Sequence, residues 1–290
     1  MPELPEVEVT RRRIAPFLVG KRLVELKTTA PSYFFVTPPD ELRKRLPGLC
    51  FTALERKGKY LLATLSDESH LLLHLGMTGQ LFADGASNPR LLRKTGRAAL
   101  TPGLEVGFRP DAHTHLEFHM DSAPVVFFRD TRKFGKVEWL APGAVSKRLS
   151  KLGPDALEAE PEGVHASFRR RSVAVKTALL DQSVLSGAGN IYADECLFLA
   201  GVRPNRSANR LTLQQTRRIL AELRRVLERS IETGGSSISD YVAPDGLDGG
   251  YQDERRVYAR AGEPCLVCGS AIKRVVLGQR STHYCSVCQK

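Results

Sequence analysis

The sequence predicts an α+β protein with several domains: an N-terminal β-sandwich with flanking helices, a helical domain, and a small C-terminal cysteine module. Three observations support this. Short strand-like segments fill residues 22–140, helical periodicity follows residue 155, and four of the six cysteines lie in the last 26 residues. A chain of 290 residues with 42% hydrophobic content is long enough for two cores of ordinary size.

The first predicted element is a helix that begins at Pro5. Proline suits the first turn of a helix, where its missing N–H costs no hydrogen bond. Glu6 and Glu8 follow in that turn, where the helix dipole favours carboxylates. A sparse apolar stripe continues at near-helical spacing: Val7, Ile14 and Leu18.

Two hairpins can be recognised in the β-rich region. Residues 60–65 and 70–75 form the first, and residues 115–120 and 125–128 form the second, each with a polar turn between its strands. Consecutive hairpins of this kind favour an antiparallel sandwich or barrel.

Composition then suggests the domain limits. We expect a β-sandwich domain over 1–140, a Pro- and Gly-punctuated linker over 141–154, a helical domain over 155–235, and a final region over 236–290. Residues 84–112 are rich in Gly, Pro, Arg and Ala, which is typical of a long surface insertion.

The helical domain contains one strongly amphipathic segment. Thr212 and Gln215 have the spacing of a capping box, and Gly234 and Gly235 are expected to end the helix. Leucine and isoleucine line one face: Leu220, Leu223, Leu227 and Ile231. The Gly- and Ser-rich stretch 236–252 is expected to be a loop.

The cysteine module has two CxxC pairs, Cys265 with Cys268 and Cys285 with Cys288. Their spacing fits a four-thiolate zinc site, in which no ligand position remains open for a substrate. We therefore predict one structural Zn²⁺. Two disulfides or a redox pair are the alternatives.

The charge balance indicates a polyanionic partner. Lys and Arg number 43 against 32 Asp and Glu, giving a net charge of +11. Nucleic acid is the first choice, an anionic membrane surface the second, and a basic enzyme with no such partner is the third. No apolar run reaches the about 18 residues that span a bilayer, and no secretory signal is present, so we expect a reducing cytoplasm.

The N-terminus offers covalent chemistry. If Met1 is removed, Pro2 carries a free secondary amine that can attack an electrophilic carbon and form an iminium. An α-amino group titrates at about 7.7–8.0, so part of it is neutral near pH 7. Glu3 stands beside it and can transfer the proton that such a reaction requires.

Five motifs in one order resemble the bacterial formamidopyrimidine-DNA glycosylase (Fpg, MutM) group of the Fpg/Nei family. They are the opening octet, residues 74–79, residues 130–135, residues 187–195 and the CxxC pairs. The resemblance implies a helix–two-turn–helix domain followed by a zinc-finger β-hairpin. It also implies a bifunctional glycosylase and AP lyase of base-excision repair. Such an enzyme removes oxidised purines (8-oxoguanine and formamidopyrimidines) through a Schiff base and β,δ-elimination.

The resemblance assigns roles to the residues near the chemistry. Pro2 matches the nucleophile that attacks C1′, Glu3 the residue that protonates the sugar ring oxygen, and Glu6 a carboxylate that helps to hold the site. Lys59 and His74 match residues that contact the phosphates flanking the lesion.

Further roles concern DNA. Met77 and Phe134 match side chains that wedge into the base stack, and Arg132 matches one that binds the orphaned cytosine after the base is flipped out. Asn190 and Arg280 match phosphate contacts, and the four cysteines named above match the zinc ligands. The 236–252 loop corresponds to the segment that closes over the flipped base.

The implied partner is double-stranded DNA containing oxidised bases or abasic sites, with no membrane. We expect a monomer in the bacterial cytoplasm, associated with the nucleoid. Three alternatives remain: an endonuclease VIII (Nei) type enzyme for oxidised pyrimidines, a non-catalytic DNA-binding protein on the same scaffold, and an N-terminal-proline tautomerase. The 84–112 insertion departs from the family pattern and carries four cations that either add DNA contacts or are solvated: Arg90, Arg93, Lys94 and Arg97.

Overall fold

A computed structural model describes residues 2–86, 108–237, 244 and 247–290. The chain folds into two compact units. The first comprises residues 1–146 and 233–250, and the second comprises residues 147–232 and 251–290. Within the described residues, no helix combines the length and the apolar character needed to cross a bilayer.

In its described residues, the first unit is a β-sandwich with two helices. Its helices are α1 (Leu4–Leu18) and α2 (Pro39–Arg45). Its strands are β1 (Leu23–Thr28), β2 (Phe51–Lys57), β3 (Tyr60–Leu65), β4 (His70–His74), β5 (Gly79–Ala83), β6 (Thr114–Met120), β7 (Val126–Asp130) and β8 (Lys136–Leu140). One four-stranded antiparallel sheet has the order β1-β6-β7-β5 and the other β2-β3-β4-β8. Apolar side chains from both sheets and from α1 share one core.

Both predicted hairpins are confirmed as β3–β4 and β6–β7, with strand ends within about one or two residues of the expected positions. The sequence alternation in 115–120 matches the burial pattern, since Leu116, Phe118 and Met120 of β6 belong to the core and the residues between them are partly exposed. The predicted N-terminal helix is confirmed as well, with Pro5 in its first turn.

Only the ends of the 84–112 insertion belong to the described structure. The Phe108 N–H donates to the Ala86 carbonyl at 2.8 Å, and both residues pack with Phe82 and Phe127 in a small aromatic cluster. The four cations predicted for the insertion lie outside the described residues.

The second unit is helical and carries one hairpin. Its helices are α3 (Pro161–Arg169), α4 (Val175–Leu180), α5 (Asn190–Leu199) and α6 (Leu213–Glu232). Short 3-10 turns lie at Leu149–Lys151, Ala208–Arg210 and Tyr251–Asp253, and the hairpin pairs β9 (Lys273–Leu277) with β10 (Arg280–Tyr284).

The predicted capping box at the start of α6 is confirmed. The Gln215 N–H donates to Thr212 Oγ1 at 3.2 Å, and the Thr212 N–H donates to Gln215 Oε1 at 3.0 Å. The apolar face of α6 is buried as its spacing indicates. Beyond the helix, Gly234 has φ +83, a left-handed conformation that stops helices at little cost for glycine.

Candidate active site and nucleic-acid interface

The N-terminal residues lie buried at the start of α1. Pro2 and Glu3 precede the helix, and Glu3 occupies its N-cap. The Glu3 N–H donates to Glu6 Oε2 at 2.8 Å, and the Ser236 N–H donates to Glu6 Oε1 at 2.9 Å. One carboxylate therefore fixes both the residue beside Pro2 and the beginning of the predicted base-capping segment.

The ends of that segment are joined at a narrow base. The Gly250 N–H donates to the Thr233 carbonyl at 2.8 Å, and the Gly249 N–H donates to Ser237 Oγ at 2.9 Å. A Cβ on Gly249 would lie 2.1 Å from the Gly235 carbonyl oxygen, so the close approach requires glycine. Residues 238–243, 245 and 246 lie outside the described residues.

Lys59 precedes β3, and His74 ends the adjacent strand β4. Lys59 lies in the turn before β3 and is only 7% exposed, which argues against an ordinary solvated cation. Its neighbour Tyr60 pairs with His74 across β3 and β4, and their rings lie 4.6 Å apart. The Gly76 N–H donates to His74 Nδ1 at 3.2 Å, which places the proton of a neutral imidazole on Nε2.

The loops carrying Met77 and Phe134 meet backbone to backbone. Gly76 has φ +62, and a Cβ there would lie 2.4 Å from the Gly135 nitrogen. A Cβ on Gly135 would in turn lie 2.9 Å from the His74 carbonyl oxygen. Absence of side chains at these two positions therefore allows the Met77 turn and the 130–135 turn to pack in contact.

Asp130 holds the same two loops through its carboxylate. It accepts hydrogen bonds from the Thr78 hydroxyl, from the Arg132 N–H at 3.2 Å and from the Gly135 N–H at 2.7 Å. The Arg132 guanidinium lies 4.7 Å from the centre of the Phe134 ring, which is 43% exposed. Phe134 is therefore not a core residue, and Arg132 and Phe134 project as a pair.

Asp130 had no predicted role, and Glu8 was expected only to favour the start of α1. Asp130 ends a buried strand and begins a turn that closes with Gly135. A carboxylate at such a position in the sequence could have indicated that it holds the turn. Glu8 forms ion pairs with Arg11 and Arg12 of α1 and with Arg56 of β2. Burial opposes ionisation of Glu8, but the two helix arginines outweigh it and lower its pKa to about 2.

In the second unit, Asn190 and the turn carrying Arg280 converge on one carbonyl. Asn190 Nδ2 donates to the Ser281 carbonyl at 3.1 Å, and Lys176 Nζ donates to the same oxygen at 2.8 Å. Asn190 is the first residue of α5, where a helix N-terminus favours anions. Arg280 itself is exposed at the end of the hairpin.

A buried ion pair supports this arrangement. Lys176 Nζ and Asp194 Oδ1 are 2.7 Å apart, and both side chains are fully buried. Asp194 Oδ2 also accepts the His283 N–H at 2.8 Å, which ties β10 to α5. This pair was not predicted, although a single lysine within the apolar run 173–180 was a detectable signal.

Glu195 is a second structural carboxylate that was not predicted. It accepts three consecutive backbone N–H groups, from Arg256 at 2.8 Å, Val257 at 3.0 Å and Tyr258 at 2.8 Å. Burial raises the pKa of Glu195 even though these hydrogen bonds favour the ionised form. The carboxylate thus orders the chain that leads into the cysteine module.

The four cysteines converge as a zinc site requires. Their Sγ atoms all lie within 4.8 Å of one another, with Cys268 and Cys285 at 3.5 Å and Cys265 and Cys288 at 3.9 Å. Tetrahedral zinc with bonds of about 2.3 Å places its sulfurs about 3.8 Å apart, so the set fits one ion. These separations exclude disulfides, whose sulfurs are about 2.0 Å apart. All four ligand positions are protein thiols, which makes the ion structural.

Comparison with family models covers most of the chain. Residues 1–137 match the formamidopyrimidine-DNA glycosylase N-terminal domain, residues 152–242 match the formamidopyrimidine-DNA glycosylase H2TH domain, and residues 262–290 match the zinc finger found in FPG and IleRS. The third match includes all four cysteines and supports a single bound zinc.

Curated relatives and solved structures agree. Formamidopyrimidine-DNA glycosylases of Cupriavidus pinatubonensis and Solibacter usitatus are 41% and 38% identical to this chain, with full coverage of both chains. The crystal structure of MutM (Fpg) from Thermus thermophilus has a TM-score of 0.83 at 34% identity, covering 99% of this chain and 98% of that one. Lactococcus lactis Fpg bound to DNA containing an abasic site has a TM-score of 0.82 at 30% identity, with full coverage of both. The chain belongs to the formamidopyrimidine-DNA glycosylase family.

Proposed function

We propose that this protein is a bifunctional DNA glycosylase and AP lyase of base-excision repair that removes oxidised purines. The main support is the geometry of the N-terminus. The Glu6 carboxylate accepts the N–H of Glu3, the residue beside Pro2, and also the N–H of Ser236 at the start of the capping segment. This shared carboxylate keeps the nucleophile next to the segment that would close over a flipped base. Relatives crystallised with Fapy-dG and with abasic-site DNA support the substrate class.

The proposed reaction uses Pro2 after Met1 is removed. The amine lone pair forms a bond to C1′ while the bond from C1′ to the base breaks, and the base leaves with that electron pair and a proton. Glu3 protonates the sugar ring oxygen, which opens the ring and leaves an iminium between Pro2 and C1′. Loss of the C2′ proton then expels the 3′ phosphate, and a second elimination expels the 5′ phosphate.

Other residues are proposed to bind the distorted duplex. Lys59 and His74 would contact phosphates in the first unit, and Asn190 and Arg280 in the second. The low exposure of Lys59 supports this role, since it is not an ordinary solvated lysine.

Three side chains are proposed to occupy the space left by the flipped base. Met77 and Phe134 would fill the stack, and Arg132 would donate to the unpaired cytosine. Support comes from the exposure of Phe134 and from the Arg132–Phe134 contact, which presents an aromatic ring and a guanidinium together.

Zinc, when bound by the four thiolates, supplies folding free energy to the terminal hairpin and no chemistry to the reaction. Cys265 and Cys285 are buried and anchor the module in the apolar cluster with Phe198, Val257 and Ile272. The hairpin then presents Arg280.

Borohydride trapping tests the nucleophile. Wild-type protein incubated with an 8-oxoguanine:C duplex and borohydride should form a covalent protein–DNA adduct, and Pro2→Gly should not. Mass spectrometry of the trapped protein should show that Met1 is absent. Full strand scission by protein that retains Met1, or by Pro2→Gly, would refute the proposal.

Substrate preference separates this proposal from the Nei-type alternative. We expect 8-oxoguanine opposite cytosine to be excised faster than thymine glycol, since the full-length relatives are formamidopyrimidine-DNA glycosylases. The reverse order would assign the chain to oxidised pyrimidines. DNA binding with no adduct on either substrate would indicate a non-catalytic protein.

We further propose that the enzyme acts as a monomer in the bacterial cytoplasm, at the nucleoid. The bacterial origin of the curated relatives supports this. The division into a catalytic domain (1–140), a linker (141–154), a helix–two-turn–helix domain (155–235) and a capping loop with zinc finger (236–290) remains part of the same proposal.

A further inference from the structure

Tyr33 is an exposed aromatic side chain to which none of the proposed roles applies. It is 74% exposed, more than Phe134, whereas its neighbour Phe34 is fully buried. A single exposed aromatic ring does not by itself indicate a partner. What distinguishes Tyr33 is the group that supports its ring and the loop to which its backbone is joined.

A buried ammonium lies directly beneath the Tyr33 ring. Lys136 Nζ is 3.5 Å from the ring centre, although Lys136 is only 7% exposed. The same nitrogen donates to the Tyr33 carbonyl at 3.0 Å, to the Gly135 carbonyl at 3.0 Å and to the Phe134 carbonyl at 3.5 Å. Lys136 thus joins the Tyr33 backbone and the Phe134 backbone at one point.

The backbone that follows Tyr33 is fixed. The Phe34 ring packs edge-on against Phe128 at 4.8 Å, and the Val36 N–H donates to the Val137 carbonyl at 2.9 Å. Together with the Lys136 ammonium against one face of the ring, this restrains Tyr33 before any partner arrives, which lowers the entropy cost of binding.

We infer that Tyr33 is a further DNA-contacting residue, which stacks on a nucleotide next to the one that Phe134 contacts. The inference rests on the proposed function. A cation below one face of the ring draws electron density from the other, which suits contact with an electron-rich base or sugar. A DNA partner is favoured over a protein because the ring shares its backbone support with Phe134 and because the chain carries a net charge of +11.

Binding measurements with three variants test the inference. Base stacking on an aromatic side chain contributes about 1–3 kcal/mol. Tyr33→Ala should therefore raise the Kd for a duplex containing an uncleavable abasic analogue by about 5- to 150-fold. Tyr33→Phe should stay within about twofold, because the ring is retained. Val145→Ala, at an exposed apolar position of the same unit, is the matched control and should bind like the wild type.

A fluorescence experiment locates the contact. Tyr33→Trp should lose emission when DNA is added, because stacking on bases quenches indole. The wild type provides the background, since its single tryptophan is Trp139. Unchanged thermal unfolding of Tyr33→Ala would exclude a folding defect as the cause of weaker binding.

Equal DNA affinities of Tyr33→Ala and the wild type, with no quenching of Tyr33→Trp, would overturn the inference. That result is distinguishable from failure of the proposed function. In the latter case the wild type itself would form no borohydride adduct with the lesion duplex.

Discussion

The two parts of the proposed DNA interface are built by different physical means. In the first unit, the Met77 and Phe134 loops are placed by backbone contact at Gly76 and Gly135 and by the Asp130 carboxylate. In the second unit, Asn190 and the Arg280 turn are placed by a buried ion pair and by four thiols. The first arrangement depends on the absence of side chains and the second on charge and metal.

This difference predicts which perturbations each region tolerates. Loops held by backbone contact need no ligand and are sensitive to any added carbon atom. A hairpin held by zinc and by a buried charge pair loses its support when either is removed, because an uncompensated buried charge is costly. Reagents that act on charge or metal should therefore separate the two regions experimentally.

Zinc removal should have the largest effect, and only in the second unit. Chelation should unfold the terminal hairpin and weaken DNA binding by at least about 100-fold, because zinc binding supplies folding free energy there. Fluorescence of Trp139, which lies on β8 in the first unit, should be unchanged. Added zinc should restore binding, and normal DNA affinity in the chelated protein would make the module peripheral.

Loss of the buried Lys176–Asp194 ion pair should have the second largest effect. Lys176→Met leaves Asp194 charged and buried, which should lower the free energy of unfolding by about 3–5 kcal/mol. Lys176→Met combined with Asp194→Asn should recover part of that loss. Urea denaturation followed by circular dichroism measures both, and a single variant as stable as the double variant would contradict the role of the pair.

A methyl group at Gly76 tests the first region. Gly76→Ala should lower the free energy of unfolding by about 2–4 kcal/mol, because the left-handed backbone disfavours alanine and the Cβ would meet the Gly135 nitrogen. Gly20 is the matched control, since its φ is +79 and nothing lies within 4 Å of its Cβ position. Gly20→Ala should cost only about 1–2 kcal/mol. Equal losses in urea denaturation monitored by Trp139 would show that backbone contact is unimportant.

The smallest predicted effect concerns Glu8 on α1 and depends on pH. Its pKa is about 2 in the folded protein against 4.5 for an isolated glutamate, so its stabilisation is complete above pH 4.5 and is lost as the pH falls toward 2. Glu8→Gln should lower the free energy of unfolding by about 2 kcal/mol at pH 7. This is less than the pKa shift alone corresponds to, because hydration of the exposed Arg12 weakens its ion pair with Glu8. The difference from wild type should shrink steadily between pH 5 and pH 2.

A matched carboxylate provides the control for that titration. Glu162 forms an exposed ion pair with Arg217 in the second unit, and exposed pairs contribute little. Glu162→Gln should therefore show no comparable pH dependence. A pH-independent cost of Glu8→Gln would mean that packing, and not charge, explains its effect.

Local features of the fold were predictable because local physics determines them. Alternation in residues 115–120 predicts a strand with one buried face, and the Thr212–Gln215 spacing predicts a helix start. The cysteine spacing likewise predicted a zinc site whose geometry fits. Each signal lies within a few residues of the element that it describes.

Contacts between distant segments were not predictable from patterns. Nothing near Gly76 indicates that it will meet Gly135, and nothing near Glu6 indicates Ser236 as its partner. Such pairings depend on strand order in the sandwich, which composition and periodicity do not encode. The roles of Lys136 and Tyr33 were missed for the same reason.

The hydrogen bonds that join the two ends of the predicted base-capping segment, residues 236–252, have a practical consequence for protein engineering. The Gly250 N–H donates to the Thr233 carbonyl, and the Gly249 N–H donates to Ser237 Oγ. These hydrogen bonds hold the two ends of the segment side by side. Doubling the length of a loop costs only about 0.6 kcal/mol of closure entropy. Reporter peptides or altered recognition sequences could therefore be grafted between residues 238 and 246 without disturbing the sandwich.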